Sequence, residues 1–526
     1  MSDLIRERST PLNDFSGGLN NYWDPSSIAE NEVPYLLNMD FSPNGALISR
    51  PPIIDSGIPS PVTGQYIDIL GFYTPANGPR YIVATTNAKT WVKDIDEEDA
   101  WIEVWAHKAS SFIQYNDEAV FSKKTTGGMR WKLSGGATAI STMPALDGLA
   151  VFRDRFFGWG VANTASQTKL YFSDIITLAE PTGVYTWNAD SVFEVGRGDG
   201  QRISSVIADY SKLIIFKSAS TYTLTYSALV EEGIISLIQQ GIGAENPDCV
   251  AVYQNGYVVL HDQILYKYIN DQFSPLNAQK VNFKGEEQFP GIEPTAWKKD
   301  YAVSVFGDRA IVWFIGVSYV LNLLTGTWSI WESSSSRLAI VKQRARLADE
   351  TLPYEVGYGI SGSPDSAKWR IYRIDNVNVS SIGSEEIQCQ VRTRIYDFNT
   401  PAEWKKLYWW AIDMVASGEV RAEAQVVGLF TYQNNWHQLD SYTWDYLELG
   451  TWDTPINEAP PIESIRQIPE GKPQRTLLKL EQGLRFRRIY FEVYFTCDGT
   501  SATAPTQVFS ITPMVGEKAK MTKGVN

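Results

Sequence analysis

Length, composition and charge already exclude two broad classes for this chain of 526 residues. Hydrophobic residues make up 44% of it and charged residues 20%, so the chain can bury large cores and is not intrinsically disordered. Its 60 acidic residues outnumber its 46 Lys and Arg, and the formal net charge of −14 argues against a protein that grips nucleic-acid phosphates. The aromatic fraction of 13% favours β-rich structure, because aromatic side chains prefer strands and bury large areas.

A loose repeat of strands runs through the first two thirds of the chain. Short apolar runs that follow a polar turn recur at 119–121, 156–159, 213–216, 257–260 and 310–314, and an aromatic-centred strand follows most of them. The spacing is roughly 35 to 55 residues, which is typical of a β-propeller, because one blade cannot bury its own faces. About seven such units fit between Tyr66 and Asp375. We therefore predict an N-terminal arm over residues 1–60 and a propeller over residues 61–383.

Longer alternating strands begin after a change in composition near residues 383–386. About five of them, among them Ile387 to Phe398 and Leu407 to Val415, predict a small β-sandwich over residues 384–517, with a tail over 518–526. A Trp- and Pro-rich excursion over residues 430–474 interrupts the sandwich, and loops of that length are usually functional or disordered. The predicted fold is therefore all-β, with a β-propeller of about seven blades followed by a C-terminal β-sandwich.

Motifs in three parts of the chain carry a resemblance to a known family. The N-terminal part reads Phe15-Ser16-Gly17-Gly18-Leu19-Asn20, then Asn38, Gly45-Ala46-Leu47 and Arg50-Pro51. The middle part has Leu170-Tyr171-Phe172-Ser173, Trp187, Gly198-Asp199-Gly200 and a strand that ends in Phe216-Lys217, and the C-terminal part is Thr393 to Pro401. This order resembles the tail and tail-hub proteins of tailed bacteriophages, including the nozzle of short-tailed phages.

The resemblance implies a structural protein of the virion rather than an enzyme. Members of this family form rings at the distal tail or serve as tail-side adaptors, and the resemblance implies a closed homo-oligomeric ring, a hexamer, in the distal tail, nozzle or tail hub. Its implied partners are other phage tail proteins, with genomic DNA only as transient passing cargo and the host surface as a further contact. The implied location is the virion tail, after assembly in the host cytoplasm.

Six residues are candidates for subunit contacts, and one acidic run is a candidate for a channel lining. The interface candidates are Phe15, Gly17, Gly18 and Asn20 in the arm, with Trp444 and Trp452 in the excursion. The two tryptophans also suit sugar stacking or a packed hairpin loop. The acidic residues are Asp94, Asp96, Glu97, Glu98 and Asp99. This run fails as a calcium loop, since its sixth position is not Gly and its twelfth is not Glu, so we expect a solvated hairpin tip. In a tail ring, that tip would face the channel and repel DNA.

No sequence motif indicates catalysis, a cofactor or a metal. The cysteines Cys249, Cys389 and Cys497 lie far apart without a CxxC pair, and the three histidines are isolated, so we expect buried thiols and no zinc site. No GxSxG, P-loop or HExxH is present, and no stretch of about 20 apolar residues predicts membrane insertion. Two alternatives stay open: a receptor- or glycan-binding tail protein, and a tail enzyme that degrades polysaccharide with paired carboxylates.

Overall fold

Strands dominate the part of the chain that the computed structural model describes. The described residues are 6–9, 12–42, 45–63, 65, 67–75, 79–95, 97, 99–160, 167–175, 183–227, 232–254, 256–283, 302–314, 317–332, 343–345, 354–361, 370–375, 386–398, 405–415, 418–427, 462–468, 474–486, 488–498 and 507–517. Within them, the helices are two short 3-10 turns, Gly183–Tyr185 and Pro247–Cys249.

Seven short strands precede the first blade. They are β1 (Arg6–Ser9), β2 (Gly18–Leu19), β3 (Glu32–Val33), β4 (Tyr35–Leu37), β5 (Met39–Phe41), β6 (Leu47–Ser49) and β7 (Ile53–Asp55). The segment predicted as an arm therefore has regular pairing. β2 and β3 pair with each other in parallel, and the other five strands join sheets formed by later parts of the chain.

Six antiparallel four-stranded blades follow in chain order. Blade 1 is β8 (Asp68–Tyr73), β9 (Tyr81–Thr85), β10 (Thr90–Asp94) and β11 (Ile102–Trp105), and blade 2 is β12 (Ser111–Tyr115), β13 (Glu118–Ser122), β14 (Gly128–Lys132) and β15 (Gly136–Ile140). Blade 3 is β16 (Gly148–Phe152), β17 (Arg155–Trp159), β18 (Lys169–Ser173) and β19 (Trp187–Glu194), and blade 4 is β20 (Ile203–Ala208), β21 (Leu213–Lys217), β22 (Ser220–Ser227) and β23 (Glu232–Gln240). Blade 5 is β24 (Val250–Tyr253), β25 (Gly256–His261), β26 (Ile264–Ile269) and β27 (Gln272–Pro275), and blade 6 is β28 (Ala302–Phe306), β29 (Arg309–Trp313), β30 (Val317–Asn322) and β31 (Trp328–Glu332).

The seventh blade closes the ring with a strand from the N-terminal segment. It consists of β32 (Gln343–Ala345), β33 (Tyr354–Ser361) and β34 (Arg370–Asp375), with β7 as its outermost strand. The register places Ile54 opposite Arg373. The first strands of blades 1 to 4 contact one another in turn, β8 against β12, β12 against β16 and β16 against β20, so they line the axis and the fourth strands form the outer rim.

Aromatic side chains fill the spaces between neighbouring blades. Between blades 3 and 4, Phe157 of β17 meets Tyr226 of β22 with ring centroids 5.8 Å apart in a T-shaped contact. Arg155 is only 1% exposed there, and its guanidinium lies 5.6 Å from the centroid of the Tyr226 ring and 5.4 Å from that of Phe172. Such contacts bury large areas and add directional aromatic and cation–π attraction.

A β-sandwich follows the propeller and shares strands with the N-terminal segment. Its later strands are β35 (Glu386–Arg392), β36 (Lys405–Val415), β37 (Gly418–Val427), β38 (Ile462–Ile468), β39 (Gln474–Phe486), β40 (Arg488–Asp498) and β41 (Gln507–Glu517). One sheet has the order β39-β36-β41-β6-β5, with β1 also paired to β41, and the other has the order β4-β35-β40-β37-β38. Trp410 of the first sheet packs on Phe491 of the second, with ring centroids 4.8 Å apart. The prediction of an all-β propeller of about seven blades with a C-terminal sandwich is confirmed.

Asn38 joins the propeller to the sandwich. Its φ is 55°, in the left-handed region, and its side chain is 2% exposed. Its Oδ1 accepts hydrogen bonds from the Glu332 backbone at 2.8 Å and from Arg50 Nε at 3.0 Å. Its Nδ2 donates to the backbone oxygen of Gln388 at 2.7 Å, and its backbone nitrogen donates to the Ile330 oxygen at 2.7 Å. Because β4 lies between β31 of blade 6 and β35 of the sandwich, a single nine-stranded sheet runs through both parts.

Replacing Asn38 by Ala should lower the free energy of unfolding by about 3 kcal/mol, since three buried hydrogen bonds of about 1 kcal/mol each are lost. Asn116→Ala is the matched control, because Asn116 also has a left-handed φ, 52°, but is exposed in a hairpin turn. Urea denaturation followed by tryptophan fluorescence measures both variants. Equal destabilisation of the two would contradict the role given to the Asn38 amide.

Candidate interaction surface

The four candidate interface residues of the N-terminal motif make contacts inside the chain. The side chain of Phe15 is 0% exposed, and that of Asn20 is 3% exposed. Gly18 has a φ of 68°, and a Cβ built on it would lie 2.9 Å from the backbone nitrogen of Trp328 in blade 6. A Cβ on Gly17 would lie 2.5 Å from Cγ of Glu32. The two glycines therefore let the N-terminal backbone approach blade 6 and its own neighbouring turn closely.

A buried carboxylate ties this motif to blade 5. Glu32 accepts hydrogen bonds from Asn20 Nδ2 at 2.7 Å and from the Ala29 backbone at 3.0 Å, and it forms an ion pair with Lys280 just beyond β27. Burial raises the pKa of Glu32, but the hydrogen bonds from Lys280, Ala29 and Asn20 outweigh burial, so the pKa lies below its ordinary value. Lys280 also reaches the backbone oxygen of Gly17 at 3.4 Å.

Two exposed aromatic side chains lie just after the motif, at residues that the motif does not include. Tyr22 and Trp23 are each 51% exposed and pack against one another in a T-shaped contact, with ring centroids 5.2 Å apart. Exposed aromatic pairs are frequent anchors in protein interfaces. The run Asn-Tyr-Trp-Asp-Pro directly after the motif is the signal that could have pointed to them. Trp444 and Trp452 lie outside the described residues, so their role stays a prediction.

The described residues of the acidic run lie at the end of β10 and in the connection from β10 to β11, on the outer half of blade 1. Asp94 ends β10 and is buried, whereas Glu97 and Asp99 are exposed, and Asp96 and Glu98 lie outside the described residues. Lys93 is 4% exposed, and its Nζ donates to the backbone oxygen of Glu97 at 3.2 Å and to that of Asp99. Charge repulsion from Asp99 and then from Asp94 raises the pKa of Glu97. The buried lysine thus holds the backbone of a loop whose carboxylates repel one another.

The topology places this loop away from the propeller axis. It connects β10 to β11, the third and fourth strands of blade 1, whereas the first strands line the axis. That this loop faces a channel formed by several subunits stays a prediction.

The same face of the propeller carries further carboxylates. Successive turns of an antiparallel meander alternate between the two ends of the sheet, so the first-to-second and third-to-fourth strand turns of every blade lie on one face. We call this the turn face. Besides the loop of blade 1, it carries the turn residues Asp117, Asp154, Asp209 and Asp308 of blades 2, 3, 4 and 6. Lys212 offsets part of the charge through its 2.6 Å ion pair with Asp271.

Tyrosines at the ends of first strands interact with the turn of the next blade in blades 1 to 3. The hydroxyl of Tyr73 in blade 1 donates to the backbone oxygen of Asp117 in blade 2 at 2.7 Å. Burial and then the carboxylate of Asp154 in blade 3 raise the pKa of Tyr115 in blade 2. In blades 2, 3 and 6, the sequence shows an aromatic residue two positions before the turn Asp, but Asp209 of blade 4 follows Ile207 and Ala208, so the pattern finds only part of the turn face.

The Gly-Asp-Gly turn between blades 3 and 4 is closed by an ion pair. Gly198 and Gly200 have φ values of 88° and 71°, which glycine adopts without strain. Lys217, at the end of β21, is fully buried and donates to Asp199 at 2.7 and 2.8 Å and to the backbone oxygen of Val195 at 2.8 Å. Two elements of the sequence resemblance, the turn and the strand ending in Phe-Lys, therefore meet in one contact. The Arg-Gly-Asp triplet has the geometry of a turn between blades, in which the carboxylate of Asp199 is occupied.

A pair of carboxylates in the sandwich bears on the enzyme alternative. Glu423 of β37 lies directly opposite Glu492 of β40, and both side chains are almost completely buried. Arg392 contacts Glu492 at 3.1 Å, and Arg421 contacts Glu423 at 2.5 Å. Carboxylates that hydrolyse a sugar must reach both substrate and water. These two are neutralised by arginines and shielded, which favours a structural ion-pair network.

Neither a metal cluster nor a membrane-spanning helix occurs in the described ranges. There, no group of three or more His, Cys, Asp and Glu side chains could hold a metal ion. Nor does any helix in that part of the chain have the length and apolar character needed to span a membrane. Cys249 and Cys389 are buried, and burial raises the pKa of the Cys249 thiol to about 12.

Comparisons with known proteins find the chain similar to propellers of several kinds. No family model matches the chain, and no curated protein sequence does. Among solved structures, BamB from Moraxella catarrhalis is 11% identical with a TM-score of 0.35, covering 58% of this chain and 83% of its own. The β-propeller domain of Cps50 (Swd1) from Myceliophteria thermophila is 10% identical with a TM-score of 0.39, covering 61% and 99%. The WD40 propeller domain of Doa1 is 9% identical with a TM-score of 0.37, covering 61% and 97%. Likenesses this weak carry no argument about function.

Replacing Asp199 by Ala should lower the free energy of unfolding by about 3 kcal/mol, because it leaves the buried ammonium of Lys217 without its counter-ion. Glu103→Ala is the matched control. It breaks an ion pair of the same 2.7 Å length, with Lys89, in which both side chains are more than a third exposed, and it should cost less than about 1 kcal/mol. Adding Lys217→Met to Asp199→Ala should recover part of the loss. Chemical denaturation measures all three variants, and a cost for Asp199→Ala as small as that of the control would refute the assignment.

The stability that Glu32 contributes should depend on pH. Its pKa in the fold lies below the ordinary value of 4.5, so its contribution is fully present above about pH 4.5 and is lost as the pH falls through the folded-state pKa. The difference in thermal midpoint between the wild type and Glu32→Gln should therefore be largest at pH 7 and shrink towards about pH 3.5. Differential scanning fluorimetry over this range checks it, and a difference that is constant with pH would count against the ionised pairing.

Proposed function

We propose that the chain is a structural virion protein of a tailed bacteriophage, without catalytic activity, that forms a ring in the distal tail, nozzle or tail hub. One observation carries the proposal: the residues of the sequence resemblance contact each other at structural junctions. Asn38 bonds to Arg50 between the propeller and the sandwich, and Asp199 pairs with Lys217 between two blades. Because residues of the motif form contacts that join blades and domains, the resemblance favours an architecture shared with tail proteins over a chance match.

The charge of the turn face supports the part of the proposal that concerns DNA. Glu97 and Asp99 of blade 1 are exposed there, and Asp209 of blade 4 and Asp308 of blade 6 lie in other turns of the same face. Phosphates are repelled by a surface of like charge, so an anionic lining lets a genome pass without being retained. DNA is then transient cargo, in keeping with the net charge of −14.

The partners that we propose are other tail proteins and further copies of the chain. Deletion of residues 1–21 would be a poor test of such contacts, because it removes Leu12, Phe15 and Leu19 from the buried core. The exposed pair Tyr22 and Trp23 offers a sharper test, since neither ring is needed to fill that core.

The double variant Tyr22→Ser/Trp23→Ser should keep the thermal midpoint of the wild type to within about 2 °C, because exposed side chains contribute little to stability. It should lower incorporation into virions at least tenfold, because interface anchors carry most of the binding energy. Complementation of a phage that lacks the gene, with quantitative immunoblots of purified particles, measures this. Tyr210→Ser is the control, since that side chain is fully exposed in blade 4. Equal incorporation of the double variant and the control would exclude these aromatics as anchors.

The proposal as a whole is tested on purified virions. Quantitative mass spectrometry should find the chain at about six copies per particle, as a closed six-fold ring requires. Immunogold electron microscopy should place the label at the tail. Absence of the chain from particles that carry all other structural proteins would overturn the proposal.

A further inference from the structure

The outermost strand of blade 4, β23, is an open sheet edge. It runs for nine residues from Glu232 to Gln240 and pairs with β22 alone among the described strands. From Gly233 onward it carries no charged residue. Its side chains Ile234 and Leu237 are 72% and 52% exposed, and Ser236 is exposed between them. Unpaired backbone donors and acceptors beside exposed aliphatic side chains are a template for pairing with another strand.

The other rim strands of the propeller are protected in ways that β23 is not. β11, β15 and β27 have only four or five residues, and β27 ends in Pro275. β19 has eight residues but carries Asp190 and Glu194. The rim of blade 6 is covered by β4, and the rim strand of blade 7 is the N-terminal strand β7. Short length, charge, proline and a covering strand are the usual protections of sheet edges, and β23 has none of these beyond its first residue, Glu232.

We propose that two copies of the chain pair through β23 in an antiparallel, two-fold arrangement centred on Ser236. In this register, Ile234 of one copy lies opposite Ile238 of the other, and Ile235 lies opposite Leu237. Every cross-strand pair near the axis is then aliphatic or a pair of serines, and Glu232 meets Gln240 rather than another acid. Aliphatic cross-strand pairs stabilise a sheet, whereas like charges directly opposite each other destabilise it. The strand is thus complementary to itself, as an isologous interface requires.

The charge of the chain makes β23 a better contact between two copies than the charged surfaces are. With a net charge of −14, two copies repel each other, and this repulsion is smallest along a stretch without charged residues, such as residues 233–240. Strand addition already occurs within the chain, where β4 pairs in parallel with β31 and extends blade 6 into a nine-stranded sheet. Pairing through β23 would likewise join two four-stranded blades into one sheet of eight strands.

The dimer should be weak. The pairing of β23 with β22 has an irregularity that leaves Ile238 without a register partner, which bends the end of the strand and shortens the regular edge. A contact of one strand per copy is smaller than the standard interface of about 800 Å² per partner. We therefore expect a dissociation constant in the micromolar range, on the order of 10 μM.

Sedimentation velocity on the full chain from about 1 to 50 μM tests the pairing. The wild type should shift from monomer to dimer over this range. Ile234→Lys should stay monomeric, because a lysine there would place a charge opposite Ile238 of the other copy, and a charged residue on an edge strand opposes pairing. Leu324→Lys is the control, since Leu324 is 67% exposed in a turn of blade 6, and it should dimerise like the wild type. A wild type that stays monomeric at 50 μM, or a control that loses the dimer equally, overturns the proposal.

A thiol introduced at the two-fold axis separates this dimer from ring contacts. In the proposed register the two copies of Ser236 lie roughly 5 Å apart at Cα, so Ser236→Cys should be linked to its own copy by a short bis-maleimide. Leu324→Cys and the wild type should give no linked dimer under the same conditions. If Ile234→Lys still forms an oligomer and Ser236→Cys gives no linked dimer, copies meet elsewhere, which overturns this proposal but leaves the proposed ring intact. Absence of the chain from virions would overturn the proposed ring but leave the proposed dimer intact.

Discussion

The amide of Asn38 is the interaction on which the joint between the two parts depends. One buried side chain satisfies a backbone group of blade 6, a backbone group of the sandwich and the guanidinium nitrogen of Arg50. Burying these polar groups without partners would cost more than the hydrogen bonds contribute, so the junction must be complete to be stable. The left-handed backbone at Asn38 turns the chain between β4 and β5, which belong to different sheets. Asparagine tolerates that conformation better than any other residue with a side chain long enough to reach all three partners.

The propeller could be predicted from the sequence because its pairing is local. Each blade is a run of hairpins, and each hairpin leaves an apolar run, a polar turn and an aromatic-centred strand within about 40 residues. The roles of β4 and β7 could not be predicted in this way. Each has three residues, too few to show a period, and each pairs with a strand more than 290 residues away. The partner of β7 is set by closure of the ring, and the partners of β4 are set by the junction of blade 6 with the sandwich. No local pattern records either arrangement.

The candidate surface was predictable in parts. The acidic run of blade 1 stood out as a cluster of like charges, whereas Asp117, Asp154, Asp209 and Asp308 appeared as single residues in ordinary turns. Only the radial arrangement of blades gathers them on one face. For the N-terminal motif, the glycines predict close backbone approach, and the surfaces approached belong to the same chain: blade 6 at Gly18 and the turn before β3 at Gly17. Phe15 and Asn20 are buried. A glycine motif in a single sequence indicates that the backbone approaches another surface closely, but it does not identify that surface.

Closure of the ring by β7 also sets the order in which the chain can be completed during synthesis. Ile53–Asp55 leave the ribosome early, but the strand with which they pair, Arg370–Asp375, follows roughly 320 residues later. At a synthesis rate of about 5 to 20 residues per second, β7 stays without its partner strand for on the order of 15 to 60 seconds. During that time they carry unpaired edges beside a growing row of finished blades. The propeller ring therefore closes only after the last blade is synthesised. A ribosome that stalls before Arg370 would leave six blades in an open ring, because β7 would have no strand with which to pair.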